Sequence, residues 1–279
     1  MKVNELKDVF GEEHVVVNPA SKPGRPAKLV LLDELSKLKP FQFVVEAGYD
    51  ANTETFRKAI GFDALIDHYG NPLEIGGVYP DIIQTIPSRS TGPLPFEEEC
   101  PEYNQAISPN GSLSDIDEHD DRLRLRIIDI KLAAEPGANH FAEVVYYSMT
   151  LSAWLQENKL DDQYLVVATP AVWPGSYDVS NLSNQFQDWN RKGYKPTASD
   201  LAAGLEKDIE IAAVDAYVPR LRRLLSEQIP VILATNWEDL PYHVDFSCQG
   251  CEFLGYPWKN KEGNIENDER HCWPTAERC

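Results

Sequence analysis

Two charged side chains interrupt a stretch of sequence that otherwise reads as a buried strand. Asp129 and Lys131 lie two positions apart in RIIDIKLA, so on a strand both point to the same face of the sheet. Asp81, in VYPDII, belongs to the preceding strand. Buried charges are costly unless they are paired or bound to metal, and two carboxylates can hold a divalent cation. If the two strands pair, these side chains converge as the parts of a site that hydrolyses phosphodiesters.

A helix is predicted after this strand, and it carries further polar side chains. Apolar residues recur at helical spacing from His140 to about Asn158. Glu143 and Tyr147 are four residues apart, and His140 lies three residues before Glu143, so all three share one helix face. Two interpretations stay open: this face belongs to the site, or it is an exposed charge beside a half-buried ring.

These motifs together resemble the pattern of the PD-(D/E)XK nuclease superfamily. The tripeptide YPD, ending at Asp81, is followed after a gap by IIDIK, with Asp129 at the variable acidic position. RecB-like members carry a Gln-x-x-x-Tyr motif on the next helix. The equivalent here is Glu143-x-x-x-Tyr147, with Glu in place of Gln. The resemblance covers roughly residues 40–279, and these short motifs carry it.

The resemblance implies a fold of the α/β (α+β) class, with a restriction-endonuclease-like mixed sheet core flanked by helices. It implies that Asp81 and Asp129 bind Mg²⁺ or Mn²⁺ and that Lys131 orients the attacking water. The helix face with the Glu-x-x-x-Tyr motif is expected to lie over the active site and contact DNA. These nucleases often have an acidic residue from the first core helix, for which Glu46 is the candidate.

Four of the five cysteines lie in the last 32 residues, with the spacing C-x2-C-x20-C-x6-C: Cys248, Cys251, Cys272 and Cys279. Clustered cysteines in a cytosolic protein are more often metal ligands than disulfides. A [4Fe-4S] cluster and a structural Zn²⁺ suit four cysteines equally well, and Cys100, His243 or His271 would be substitute ligands. Some RecB-like nucleases hold a four-cysteine iron-sulfur cluster, so the resemblance favours iron-sulfur.

The charge of the chain sets limits on its partners. The formal net charge is -19, from 26 basic and 45 acidic side chains, which argues against a general nucleic-acid coat protein. Basic residues nevertheless cluster at 122–126 and 220–223, so local basic surfaces stay available. No apolar run approaches the length of a membrane span, and the first residues lack the apolar region of a secretory signal. A cytoplasmic location is therefore predicted.

The chain is expected to have three parts: an N-terminal extension at 1–40, a nuclease core at 41–236, and a Cys-rich tail at 237–279. Residues 87–121 are rich in Pro, Ser, Gly and acids, and predict a long, mobile, acidic insertion in the core. The chain stops on a presumed ligand, so we expect it to be part of a longer protein or to lie beside a helicase or other motor.

Local signals predict several elements of the core. Thr53 is the expected N-cap of a helix in TETFRKAI, and 62–86 is expected to be a hairpin. YLVVATPAVW is predicted as one buried strand. Residues 198–228 are predicted as a long amphipathic helical stretch with a kink at Pro219.

The function expected from the sequence is metal-dependent cleavage of DNA, in repair, processing or defence against foreign DNA. An alternative is a non-catalytic subunit that keeps the fold and the cluster but only holds DNA or a motor partner. The presence of Glu143 in place of the Gln of the motif, and the negative net charge, favour this alternative. A third possibility is a zinc-stabilised interaction module with no role in nucleic-acid binding.

Overall fold

The computed structural model describes residues 2–20, 28–61, 75–98, 100–132, 135–175 and 180–235. The chain divides into two compact units, Met1–Pro230 and Val231–Cys279. The four tail cysteines, and with them the predicted metal cluster, lie outside the described residues. Most of the first half of the hairpin predicted at 62–86 also lies outside them.

Twelve short strands occur in the described residues. In chain order they are β1 (Val15–Val16), β2 (Leu29–Val30), β3 (Phe43–Val45), β4 (Ala47–Asp50), β5 (Gly77–Val78), β6 (Ile82–Ile86), β7 (Gln105–Ile107), β8 (Leu113–Asp115), β9 (Leu123–Lys131), β10 (Tyr164–Val166), β11 (Ala171–Pro174) and β12 (Glu210–Ile211). Seven of them form a mixed sheet in the order β1-β3-β6-β9-β11-β12, with β10 pairing beside β11 on β9. β9 is antiparallel to β6 and parallel to β10 and β11. Strand β1 places residues from the predicted N-terminal extension in this sheet.

Helices cover both faces of the sheet. The helices of the described residues are α1 (Lys2–Phe10), α2 (Leu31–Leu35), α3 (Glu54–Ile60), α4 (Ala138–Glu157), α5 (Asn181–Arg191), α6 (Ala198–Leu205), α7 (Val214–Arg223) and α8 (Ile229–Ala234), with a π-helical turn at Leu224–Gln228. On one face, Leu125 and Ile127 of β9 pack with Val144, Val145 and Met149 of α4. On the other face, side chains of the sheet pack with those of α1, α5 and α6. The predicted mixed sheet flanked by helices is confirmed.

The local predictions are confirmed where strong capping or periodic signals exist. Thr53 caps α3, since its side chain accepts a hydrogen bond from Phe56 N–H at 3.1 Å, and α4 spans the predicted region. Two longer predictions are wrong. YLVVATPAVW forms two strands, β10 and β11, and the stretch 198–228 is divided between α6, β12 and α7. Tertiary pairing overrides helical periodicity there, because Ile211 pairs with Ala171 of β11.

The prediction of a long mobile loop at 87–121 is also wrong. The segment contains 3₁₀ turns at Arg89–Thr91 and Pro101–Asn104 and the antiparallel hairpin of β7 and β8. Its apolar side chains form a small core of their own with Ile86 and Leu165: Leu94, Phe96, Tyr103 and Ile116 are all buried. Scattered apolar residues within an acidic segment therefore bury against the sheet and order it.

The arginines of β9 do not form a basic surface, contrary to the sequence-based expectation. Arg124 and Arg126 are fully buried. Arg124 forms an ion pair with Glu97 at 2.7 Å, and its Nε donates to the carbonyl of Pro87. Arg126 pairs with Glu206 at 2.6 Å, and its Nε donates to the carbonyl of Thr169 at 2.7 Å. Strict Arg/Leu alternation here indicates buried charges on one face of a strand rather than a half-exposed edge.

Loss of the Arg126 guanidinium should be strongly destabilising. We expect Arg126→Met to lower the free energy of unfolding by about 3–5 kcal/mol, because it leaves the Glu206 carboxylate uncompensated beside the core. Arg122→Met is the matched control, at the residue that immediately precedes β9. Arg122 is partly exposed and pairs with Asp120 at 2.6 Å, so its loss should cost about 1 kcal/mol or less. Urea denaturation measures both, and equal losses would contradict a buried network.

Candidate active site

The pairing of β6 with β9 brings the two predicted aspartates together. Ile82 is the partner of Ile128 in this antiparallel register, so one step further along the chain Asp81 lies opposite Asp129. The Oδ2 atom of Asp81 accepts a hydrogen bond from Ile130 N–H at 2.6 Å. Asp129 is only 4% exposed. The strand pairing predicted from the sequence is therefore present.

Lys131 connects the strand to helix α4. Its Nζ lies 2.6 Å from Asp129 Oδ2 and 2.8 Å from Glu143 Oε2. The hydroxyl of Tyr147 donates a hydrogen bond to the other carboxylate oxygen, Glu143 Oε1, at 2.8 Å. Four predicted residues thus form one chain of polar contacts, which runs from the sheet to the helix that covers it. The fifth, Asp81, joins them by its position opposite Asp129.

His140 is the helix residue whose side chain caps α4. Its Nδ1 accepts a hydrogen bond from Gly137 N–H at 3.1 Å, at the helix N-terminus. This contact caps the N-terminus of α4, so His140 has a structural role on the helix that carries Glu143.

Glu46 lies at the site, although it does not come from a helix. It occupies the bend between β3 and β4 with a positive φ of 53°, a conformation that is costly for a residue other than glycine. Its N–H donates to the carbonyl of Asp81 at 3.0 Å, and its carbonyl accepts from Leu29 N–H at 3.0 Å. The backbone bend therefore holds Glu46 beside Asp81.

Three carboxylates shape the electrostatics of the site. Burial, followed by the negative charge of Asp129, raises the pKa of Asp81 to about 7, against the hydrogen bond from Ile130 N–H. Burial also raises the pKa of Glu46, with Lys28 opposing and Asp129 adding to the shift. Burial and crowding that raise the pKa of an acid are typical of sites that bind a cation or move a proton.

The Lys131 ammonium is stabilised in its charged form. Burial acts to lower the pKa of Lys131, but the contacts with Asp129 and Glu143 outweigh burial and raise it. Burial likewise acts to raise the pKa of Glu143, but hydrogen bonds from Lys131 and Tyr147 lower it overall. Lys131 and Glu143 therefore form a charged pair next to the aspartates.

The donor set fits a divalent cation that keeps part of its own coordination shell. Apart from the ion pair with Lys131, Asp129 Oδ2 is a buried oxygen that accepts no hydrogen bond within the described residues. In the same part of the chain, no three His, Cys, Asp or Glu side chains are grouped as a preformed metal cage. Mg²⁺ is often bound by one or two carboxylates plus waters and substrate phosphates. Asp81 and Asp129 match that mode.

Two residues near the site were not identified from the sequence. Lys28, at the end of a Pro- and Gly-rich segment, acts electrostatically on Glu46. Gly175 N–H donates to the carbonyl of Lys131 at 2.5 Å, and a Cβ at this position would lie 2.8 Å from that oxygen. The Trp-Pro-Gly end of β11 was the available signal for Gly175, whereas nothing in the sequence near Lys28 indicates its position.

Comparison of the chain with family models, curated proteins and solved structures finds no match. No family is assigned on that basis, and the PD-(D/E)XK resemblance stays a prediction. Within the described ranges, no helix has the length and apolar character needed to cross a membrane.

The raised pKa of Asp81 predicts how stability depends on pH in the absence of metal. The ordinary pKa of this group is 3.8 and the folded value is about 7, so the folded state holds the proton longer than the unfolded state. Protonated Asp81 therefore contributes stability below about pH 4, and that contribution is lost as the pH rises through about 7.

Asp81→Asn should remove this dependence. We expect the stability of the wild-type protein to fall relative to Asp81→Asn over that pH range, measured by urea denaturation in a chelator. Asp121→Asn, a change at an exposed position, is the control and should keep the wild-type profile. Parallel profiles of stability against pH for the wild-type protein and Asp81→Asn would contradict the raised pKa of Asp81.

Proposed function

We propose that this protein is a metal-dependent DNA nuclease of the PD-(D/E)XK type. The observation that carries the proposal is the convergence of Asp81, Asp129 and Lys131 where β6 and β9 pair. The two acids come from separate parts of the sequence; burial beside Asp129 raises the pKa of Asp81 to about 7, and Asp129 is itself buried. Perturbed acids beside a lysine are a typical arrangement of phosphodiester hydrolysis.

In this proposal Asp81 and Asp129 hold Mg²⁺ or Mn²⁺. When bound, the cation would supply Lewis acidity to a phosphate oxygen and lower the pKa of a bound water. Lys131 orients the attacking water, and its ammonium offsets negative charge that develops on the phosphate. Glu46 adds a third negative charge that favours a cation at this position.

The helix residues position the lysine. Glu143 holds Lys131 Nζ at 2.8 Å, and the Tyr147 hydroxyl fixes the other oxygen of that carboxylate. This arrangement keeps a proton on Nζ and directs the ammonium toward the strand ends. Glu143 and Tyr147 therefore shape the site, and their exposed edges contact substrate.

Removal of the central acid should abolish cleavage. We expect Asp129→Ala to reduce cutting of single- and double-stranded DNA in Mg²⁺ or Mn²⁺ by about 100-fold or more, because the cation loses a ligand. Asp121→Ala, on the approach to the same strand, should cut like the wild-type protein. Equal cleavage by all three proteins would point to a contaminating nuclease and defeat the proposal.

Two observations favour the alternative, a non-catalytic subunit that holds DNA. The Lys131 ammonium already forms ion pairs with Asp129 and Glu143, and Glu replaces the expected Gln at position 143. In that case the wild-type protein binds DNA but does not cut it with either metal ion.

A change at Glu143 separates a positioning role from a blocking role. We expect Glu143→Gln to lower cleavage by about tenfold or more, because Lys131 Nζ loses a charged partner that orients it. Glu157→Gln is the control on the same helix, at an exposed carboxylate that pairs with Thr55. Increased cleavage by Glu143→Gln would instead mean that Glu143 restrains the lysine.

The Cys-rich tail belongs to the same proposal. Cys248, Cys251, Cys272 and Cys279 are proposed to bind a [4Fe-4S] cluster, with structural Zn²⁺ as the alternative; DNA and a helicase-type motor are the proposed partners, in the cytoplasm. We expect brown protein that contains iron and loses its visible absorption in Cys251→Ser. Cys100→Ser tests the substitute ligand, a thiol whose pKa is raised by burial, and should keep the absorption when the four tail cysteines are the ligands. Colourless protein with stoichiometric zinc would establish the alternative.

A further inference from the structure

An exposed aromatic ring lies beside the acidic site. Tyr79 precedes Asp81 by two residues, and 42% of its surface is accessible. Strands β4 and β5 pair with Tyr49 opposite Val78, so one step further Tyr79 lies opposite Gly48. A Cβ on Gly48 would come within 2.1 Å of the Tyr79 ring. The ring therefore lies directly on the strand backbone, in space that only glycine leaves open.

A cation covers the Tyr79 ring. The Nζ atom of Lys28 lies 3.5 Å from the ring centroid, a cation-π contact. The same lysine acts electrostatically on Glu46, which in turn interacts with Asp129. Tyr79 and Lys28 thus belong to the charged region that contains the proposed active site.

An exposed apolar side chain lies beside the ring. Val30 of β2 pairs with Gly48, and it is 59% exposed. Val30, Gly48 and Tyr79 therefore form a strip across the small sheet β2-β4-β5, which we name the Tyr79 strip. An aromatic residue that covers a glycine in a neighbouring strand is a known structural device. That device explains the contact with Gly48, but not the exposure of the ring or the lysine above it.

We propose that the Tyr79 strip binds single-stranded DNA by stacking a base on the Tyr79 ring, with Lys28 moving to a backbone phosphate. Aromatic faces accept every base, and a nearby cation suits the phosphate beside it. A duplex hides its base faces, so the strip favours single strands. This inference rests on the proposed function, since it defines the substrate class of the same site.

Binding in a chelator tests the inference separately from cleavage. The probe is a fluorescein-labelled single-stranded oligonucleotide, and fluorescence anisotropy gives its affinity. We expect Tyr79→Leu, which still covers Gly48, to weaken binding about 5- to 150-fold. Tyr79→Phe keeps the ring face and should bind within about twofold of the wild-type protein. Binding of a duplex of the same sequence should be unchanged in both variants.

An abasic strand of the same length provides a measurement that needs no variant. The wild-type protein should bind it more weakly than the ordinary strand, and Tyr79→Leu should bind it as the wild-type protein does. Lys28→Gln should lower the slope of log affinity against log salt concentration by about the amount of one phosphate contact. Tyr79→Leu should leave this slope unchanged.

The outcomes distinguish the two proposals. Tyr79-dependent binding without metal-dependent cleavage supports the strip and defeats the nuclease. The strip alone is overturned if the wild-type protein cleaves DNA and Tyr79→Leu binds the ordinary single strand as tightly as the wild-type protein does. It is also overturned if Tyr79→Leu loses as much affinity for the abasic strand as for the ordinary strand. Absence of single-strand binding by the wild-type protein also overturns it.

Discussion

The antiparallel register between β6 and β9 is the constraint on which the rest of the structure depends. β9 is buried over most of its length and carries charges on both faces. Side chains alternate along a strand, so a slip of one residue would exchange the two faces. Asp129 would then leave Asp81 and Lys131 would leave Glu143, while Arg126 would enter the apolar packing under α4. One register therefore satisfies the apolar core and the charges on both faces.

The two faces of β9 use charge in different ways. On one face, the arginines meet carboxylates and backbone carbonyls in the interior: Glu97, Glu206, Pro87 and Thr169 provide these partners. On the other face, Lys131 pairs with Asp129 and Glu143, and the pKa of Asp81 rises because this acid is buried beside Asp129. Paired charges stabilise the position of a strand, whereas the repulsion between crowded acids is reduced when a cation binds. The same strand thus stabilises the fold and holds the candidate site.

Much of the site could be predicted because its signals are local. The DIK motif, the helix at Glu143 and Tyr147, and the Thr53 cap each depend on residues a few positions apart. Long-range partners could not be predicted in this way. Nothing local shows that Glu97 and Glu206 pair with the buried arginines, or that Phe96 packs with Ile86 and Leu165 of the sheet. Tyr79 stood beside Asp81 in the sequence, but its role depends on Gly48, which only strand pairing brings opposite it.

The strongly negative chain limits how it can hold a polyanion. Arg124 and Arg126 are inside the protein, so they contribute no positive surface to a phosphate backbone. The formal net charge of -19 also makes long-range attraction to a polyanion weak, so affinity depends mainly on contacts at short distance. The cation proposed at Asp81 and Asp129 would provide one such contact, since it would convert repulsive acids into an attractive centre. Stacking on an uncharged ring provides another, and it does not depend on net charge. In the proposed nuclease both kinds of contact would act in one region, because Tyr79 lies two residues from Asp81 in the sequence.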